Sequence, residues 1–221
     1  FTFGTPSVAQ MAALKQRDII VIGTATTAAE ARVLAQLGVD TIVAQGAEAG
    51  AHRGTFAASF EDSMVPLARL MRDIRADITV PVIASGGIMD GRDVAGCLKE
   101  GAAAVQLGTA FLPCPESGAP PVHKQALLAA KEDTTVITRA FSGRPARGLS
   151  NRFIAMVAGK EGAILPFRQQ NDLTRPMRNV AGLKGIADLI SLWAGQGVAR
   201  SRAMPAADLV AALLEEIPVR Q

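Results

Sequence analysis

The first 112 residues alternate short apolar runs with stretches of helical period. Ile19-Ile20-Val21-Ile22 is an unbroken apolar run closed by Gly23, which predicts a strand buried on both faces. Thr27 and Glu30 then stand at the spacing of a capping box. Ala31, Leu34 and Ala35 follow on one helical face, and Gly38 stops the helix. Thr41-Ile42-Val43-Ala44 predicts the next strand, and a polar loop runs on to about Ser59. Leu67, Leu70, Met71 and Ile74 mark the apolar stripe of another helix. Val80-Pro81-Val82-Ile83-Ala84 reads as a strand, with Pro81 near its start where a ladder donor is least needed. Asp90 caps a helix carrying Val94, Cys97 and Leu98, stopped by Gly101, and Ala104-Val105-Gln106-Leu107 is a last strand closed by Gly108. The opening Phe1-Thr2-Phe3-Gly4-Thr5-Pro6 alternates and stops like the end of a strand. Such a strand needs neighbours on both sides, so the chain is expected to be a piece of a longer one.

Apolar strands separated by helices mean an α/β fold with a parallel sheet covered by helices. Residues 36–43 and 99–106 repeat one pattern, a helix ending on Gly and a strand starting three residues later. A doubly wound sheet and a (β/α)8 barrel both read this way. After Leu112 the pattern changes. Pro113, Pro115, Pro120 and Pro121 form a linker, residues 122–132 look helical, and residues 134–138 look extended. Residues 139–178 carry eight Lys/Arg and two acids, whereas residues 1–112 carry nine and eleven. The basic excess thus sits in an appendage expected to be a small, mostly helical lobe. It is either a solvated face or a cationic rim that favours an anionic substrate. A final amphipathic helix starts near Pro205 and runs through Leu209, Leu213 and Ile217.

Composition narrows the function classes. Of 221 residues, 49% are hydrophobic and the net charge is +3, which excludes a disordered chain. The small charge and 4% aromatics, with one Trp and no Tyr, argue against nucleic acid as a partner. Two cysteines, Cys97 and Cys114, fit a reducing, cytoplasmic setting rather than a disulfide scaffold. They lack His or Cys partners at ligand spacing, so no metal is expected. No apolar run is long enough to predict a transmembrane helix.

The chemistry-bearing residues cluster at predicted strand ends. Ala84-Ser85-Gly86-Gly87-Ile88 and Leu107-Gly108-Thr109-Ala110 each follow a strand directly. Their glycines let backbone N–H groups approach an anion. A consecutive pair of such turns is the usual phosphate cradle of (β/α)8 barrels; each alone is more often only a turn. Between residues 45 and 54, three glycines bracket Glu48, His52 and Arg53. An imidazole there either moves a proton near neutral pH or bonds to the loop backbone. His123, in a polar helix, is expected to be inert.

Together these motifs resemble the nitronate monooxygenases, formerly called 2-nitropropane dioxygenases, which are FMN-dependent. The resemblance is carried by Ala44-Gln45-Gly46-x-Glu48-Ala49-Gly50-x-His52-x-Gly54, Ala84-x-Gly86-Gly87-Ile88 and Gln106-Leu107-Gly108-Thr109-x-Phe111. Ser142-Gly143-Arg144-Pro145-Ala146-Arg147-Gly148 and Trp193-Ala194-Gly195-Gln196-Gly197 extend it over almost the whole chain. It implies a (β/α)8 TIM barrel with an inserted lobe, of which this chain would hold five strands, residues 1–4 being the first of them. It divides the chain into a partial FMN-binding barrel (1–138), a substrate-side lobe (139–200) and a C-terminal helix packing on the barrel (201–221). It implies oxidation of alkyl nitronates, and in some members nitroalkanes, by O2 to a carbonyl compound and nitrite. His52 would be the base, or a hydrogen-bond donor to nitronate. Gln45 and Gly50 would lie near the isoalloxazine. Ser85, Gly86, Gly87, Gly108 and Thr109 would hold the FMN phosphate, though Ser85 has an equal claim to packing. Trp193 and Gln196 would approach from the lobe, with core packing an equal reading for Trp193. Partners would be the small-molecule substrate, O2 and the missing N-terminal barrel segment; neither nucleic acid nor membrane is implied, and a homodimer is allowed. The alternatives are a flavin-dependent enoyl-acyl-carrier-protein reductase, which shares the first three motifs, and an inactive barrel fragment that binds a phosphate ligand.

Overall fold

In the computed structural model, which describes residues 1–218, the first apolar run becomes a strand only at its end. Helix α1 (Val8–Lys15) closes with Asp18 in the left-handed region, at φ 53°. Val21 N–H then donates to the Asp40 carboxylate at 2.6 Å. Residues 19–21 are therefore spent in turning from the helix into the sheet, Ile19 and Ile20 stay exposed, and β1 spans Ile22–Ala25. The predicted strand at 19–22 is corrected by three residues.

Strands β1, β2 (Thr41–Gln45), β4 (Val82–Ser85) and β5 (Ala104–Gln106) form a parallel sheet in the order β1-β2-β4-β5. The register pairs Gln45 with Ser85 and Ser85 with Gln106. The carboxyl ends of three strands thus lie in one row. Residues 1–4 do not form the predicted strand. Phe1 makes the two bonds of a parallel bridge: its amino group donates to Ile22 O at 2.8 Å, and its carbonyl accepts Thr24 N–H at 2.9 Å.

Helices α2 (Ala28–Gln36), α3 (Leu67–Arg75) and α4 (Gly91–Lys99) bury one stripe each. Leu34, Leu70, Met71 and Ile74 join Ile42, Val82 and Ala84 of the sheet in one apolar core. Each fully buried aliphatic side chain contributes ~1.5–3 kcal/mol. Asp90 and Asp93 complete a capping box at α4. At α2 only half of one forms. Thr27 Oγ1 accepts Glu30 N–H at 3.2 Å, but the Glu30 carboxylate is engaged elsewhere.

The described chain divides into two compact units. One holds residues 1–48, 54–107 and 215–218; the other holds residues 49–53 and 108–214. The spatial division thus falls after Leu107, whereas the sequence reading drew its boundary after residue 138. Most of the regular structure in the second unit is helical, including two α-helices within residues 139–200. The unit also contains an antiparallel sheet in the order β3-β7-β6, with β3 at Ala51–His52, β6 at Thr135–Thr138 and β7 at Ala146–Leu149. A two-residue strand inside a Gly-bracketed loop carries no alternation to read, which is why the pattern hid it. Around this sheet lie α5 (Pro121–Ala129), α6 (Arg152–Val157) and α7 (Gln169–Leu183), with Leu127, Leu149, Ile190, Leu192 and Val198 in its core.

The last helix, α8, spans Ala206–Glu215 and buries Leu209 and Leu213. Beyond it, Glu216 accepts Gly91 N–H at 2.9 Å and Ile217 packs on the core of the first unit. The predicted C-terminal segment also included residues 219–221, which lie outside the described residues. Among the described residues no helix is long and apolar enough to cross a membrane.

Candidate functional site

Several contacts fix the loop that follows β2. Gln45, the last residue of β2, accepts Gly54 N–H on its Oε1 at 2.8 Å, which ties the two ends of the loop together. Glu30 secures the next residues. Its buried carboxylate accepts Phe56 N–H at 2.6 Å, Ala57 N–H at 2.9 Å and the Thr55 hydroxyl at 2.8 Å. Its other oxygen takes the N–H and hydroxyl of Thr26, each at 2.7 Å. Burial alone would raise the Glu30 pKa. The bonds from Ala57, Thr26 and Phe56 outweigh that and hold it below the ordinary value.

Glu48 reaches from the same loop to the uncapped start of α3, where Leu67 N–H donates to its oxygens at 3.1 and 3.0 Å. Its side chain also backs the turn after β4. A Cβ on Gly87 would lie 3.1 Å from Glu48 Cβ. Gly86 and Gly87 have φ of 130° and 72°, a backbone that only glycine adopts without strain. Ser85 precedes them as the last residue of β4. In the first unit the structure therefore brings Gln45, Ser85, Gly86 and Gly87 to one end of the parallel sheet.

In the second unit, β3 carries His52. Its register partner on β7 is Ala146. Next to it Arg53 N–H donates to Pro145 O, and Arg144 Nε donates to Arg53 O, both at 2.9 Å. The half-buried imidazole has Nε2 at 2.8 Å from Ser142 Oγ. Two aromatic rings flank it: Phe167 with centroids 5.7 Å apart, and Trp193 at 5.5 Å, tilted by 56°. Trp193 also stands edge-on to buried Phe141, so it both packs and borders the imidazole.

Burial lowers the His52 pKa, and the Arg144 and Arg178 guanidinium groups lower it further. The ring is thus neutral over more of the pH range than a free histidine, which is the form that accepts a proton. Arg178 donates to Asn171 O at 2.9 Å and Oδ1 at 2.7 Å, while its Nε is buried with no hydrogen-bond partner.

Gly50 is required by packing. A Cβ there would lie 2.6 Å from Ala194 C and Gly195 N. Thr109 Oγ1 accepts Gly195 N–H at 2.9 Å and keeps its own proton to donate. Gly108 is exposed, has an ordinary φ of −115°, and would place a Cβ in open space. No contact within the chain explains why it is glycine. Gln196 is exposed. His123 is buried, with Nε2 3.1 Å from Trp193 O, and burial lowers its pKa. It helps hold the segment that bears Trp193.

Sequence reasoning missed Ser142, Arg144, Phe167 and Arg178 around His52, and Glu30 behind the loop. Ser142 and Arg144 lie in a motif quoted above, and that motif is the only signal that pointed to them. Phe167 and Arg178 have no local pattern: from a distant part of the chain, Phe167 packs on the imidazole and Arg178 acts on its charge.

The family model described as nitronate monooxygenase matches residues 1–216. A protein of Bacillus subtilis (strain 168) named probable nitronate monooxygenase is 44% identical over 221 residues, covering 100% of this chain and 60% of its own length. One of Staphylococcus aureus (strain MSSA476) with the same name is 42% identical over 218 residues, covering 98% and 61%. Among solved structures, nitroalkane oxidase from Streptomyces ansochromogenes superposes with a TM-score of 0.91 at 43% identity, over 98% of this chain and 62% of that one. FabK from Thermotoga maritima superposes with a TM-score of 0.81 at 28% identity, over 97% and 66%. The chain spans about 60% of the length of the curated relatives it matches. The α/β fold is that of this group of proteins, and the chain belongs to the nitronate monooxygenase family.

Proposed function

We propose that the protein oxidises alkyl nitronates, and nitroalkanes after loss of a proton, with O2 and FMN, releasing a carbonyl compound and nitrite. The observation that carries this reading is His52: an imidazole kept neutral by burial and two arginines, held by Ser142 and walled by Phe167 and Trp193.

The residues present fit FMN. Gly108 lacks any reason within the chain to be glycine, as expected of backbone that an outside group approaches closely. Gly86 and Gly87, after β4, present a turn of positive φ, the form that offers N–H groups to an anion. In this reading Ser85, Gly86, Gly87, Gly108 and Thr109 would hold the phosphate, while Gln45 and Gly50 would lie towards the flavin ring. Bound FMN would supply the acceptor for the electrons that leave the substrate.

The chain's own residues have defined tasks. His52 takes the α-proton of a neutral nitroalkane on its ring lone pair and leaves the nitronate anion. Nitronate offered directly needs no such step. Arg144 and Arg178 keep the resting imidazole neutral, and the same positive charge favours the nitronate anion. The unpartnered Arg178 Nε is a donor that a substrate oxygen would satisfy. Phe167 and Trp193 pack against the imidazole and fix its surroundings. Residues 139–200, which hold most of these groups, would be the substrate-side lobe. The parallel sheet β1-β2-β4-β5 would be one arc of a (β/α)8 barrel, closed by strands of the kind that the longer relatives have room for.

The test is oxygen uptake with nitrite release when the FMN-loaded protein meets ethyl nitronate. Both are expected. Absence of both, with oxidation of reduced nicotinamide by an enoyl thioester instead, would overturn the reading.

A further inference from the structure

The Ser142-Gly143-Arg144-Pro145-Ala146-Arg147 motif does more than supply Arg144 and one contact to the imidazole. It wraps His52. Ala146 is its register partner, Pro145 O takes Arg53 N–H, and Ser142 Oγ lies 2.8 Å from the imidazole. We propose that Ser142 is the positioning residue of His52, holding the ring proton on Nε2 so that Nδ1 carries the basic lone pair. This rests on the reading of His52 as proton acceptor.

The argument counts protons. A serine hydroxyl has one proton to donate and two lone pairs. Ser142 Oγ lies 3.2 Å from Arg144 O, which can only accept, and 3.4 Å from Arg144 N–H, which can only donate. If the hydroxyl donates to Arg144 O, then Nε2–H donates to Oγ, and all three contacts are served. If the hydroxyl donates to Nε2 instead, Arg144 O loses its bond to the hydroxyl. The first arrangement also suits a base. When Nδ1 takes a proton, Nε2–H keeps its bond to Ser142 and the hydroxyl need not turn.

Ser142 itself is well anchored. It is 1% exposed. Gly143 N–H donates to Arg139 O at 2.8 Å, and Arg139 Nε donates to Gly143 O at 2.9 Å, closing the turn. Gly143 has φ 80°, and a Cβ there would run into Leu165 O and Pro166 C. The turn therefore cannot move without the segment that carries Phe167 to the same imidazole. A hydroxyl fixed this way sets the ring's angle as well as its tautomer.

The test uses the intact chain labelled with 15N in its two histidines, His52 being assigned by comparison with His52→Asn. The proposal expects a proton-bearing Nε2 and an unprotonated Nδ1 for His52 at neutral pH. It expects Ser142→Ala to mix the two tautomers and to lower kcat with nitroalkane about tenfold, the loss of one hydrogen bond to the reacting group. Ser142→Thr, which keeps the hydroxyl, should restore both. A proton on Nδ1 in the native chain would overturn the proposal, as would a Ser142→Ala spectrum like the native one. If Ser142→Ala does not fold, the native spectrum still decides. The two readings fail separately. An Nε2–H tautomer with a His52→Asn variant equally impaired on nitroalkane and nitronate would remove the base and leave the positioning intact.

Discussion

The carboxylate of Glu30 accepts the N–H of Phe56 at 2.6 Å, across 26 residues of sequence. This bond and those from Thr55 and Ala57 join the start of α2 to the end of the loop that follows β2. Removing the carboxylate strands the buried N–H and hydroxyl of Thr26, each costing about 1–3 kcal/mol, and frees three part-buried donors as well. Glu30→Ala should therefore lose about 3 kcal/mol or more of stability, measured as a lowered denaturant midpoint. The pH dependence has a defined sign. The folded pKa lies below the ordinary 4.5, so the contribution is present above that value and disappears as pH falls through the folded pKa. Glu30→Gln should flatten this acid limb.

Gly108 and Gly50 make opposite predictions for the same kind of substitution. At Gly108 an added side chain meets nothing within the chain. Gly108→Leu should leave stability within about 0.5 kcal/mol and reduce bound flavin sharply, read from visible absorbance. At Gly50 a Cβ would press on the Ala194 and Gly195 backbone. Gly50→Ala should destabilise the protein even without flavin. Full flavin content in Gly108→Leu would count against the phosphate assignment.

Arg178 should set where the acid limb of nitroalkane turnover falls. His52 must be neutral to take a proton, so kcat/KM rises as pH rises through its pKa. Burial and the two arginines place that pKa below 6.5. Removing one positive charge lets imidazolium form more readily. Arg178→Met should therefore move the limb to higher pH, and the same variant should weaken the pull on nitronate, most visibly at low salt. A limb that stays in place would remove Arg178 from the groups that govern His52.

Much of the parallel sheet was legible because both faces of its strands are covered by side chains of one kind. Ile42, Val43 and Ala44 are all buried, and the run 41–44 announced β2 without ambiguity. The run 19–22 misled because Asp40 captures Val21 N–H, a tertiary event with no local sign. The Asp90 cap was readable from spacing; the Thr27 box was only half right, because Glu30 turned to a loop 25 residues away. At the site, the strand-end glycines and His52 were legible from their position after apolar runs. Ser142, Phe167 and Arg178 were not, since nothing near them in sequence says which imidazole they face.

The central claim is that His52 acts as a base. Its most direct test is the loss of kcat/KM in FMN-loaded His52→Asn with neutral nitroethane against ethyl nitronate. A general base is worth ~10²–10⁴-fold, and preformed nitronate has already lost the proton that the base would take. The account predicts a loss of about that size with nitroethane and a much smaller one with the nitronate. Equal losses on the two substrates, with flavin still bound, would contradict it.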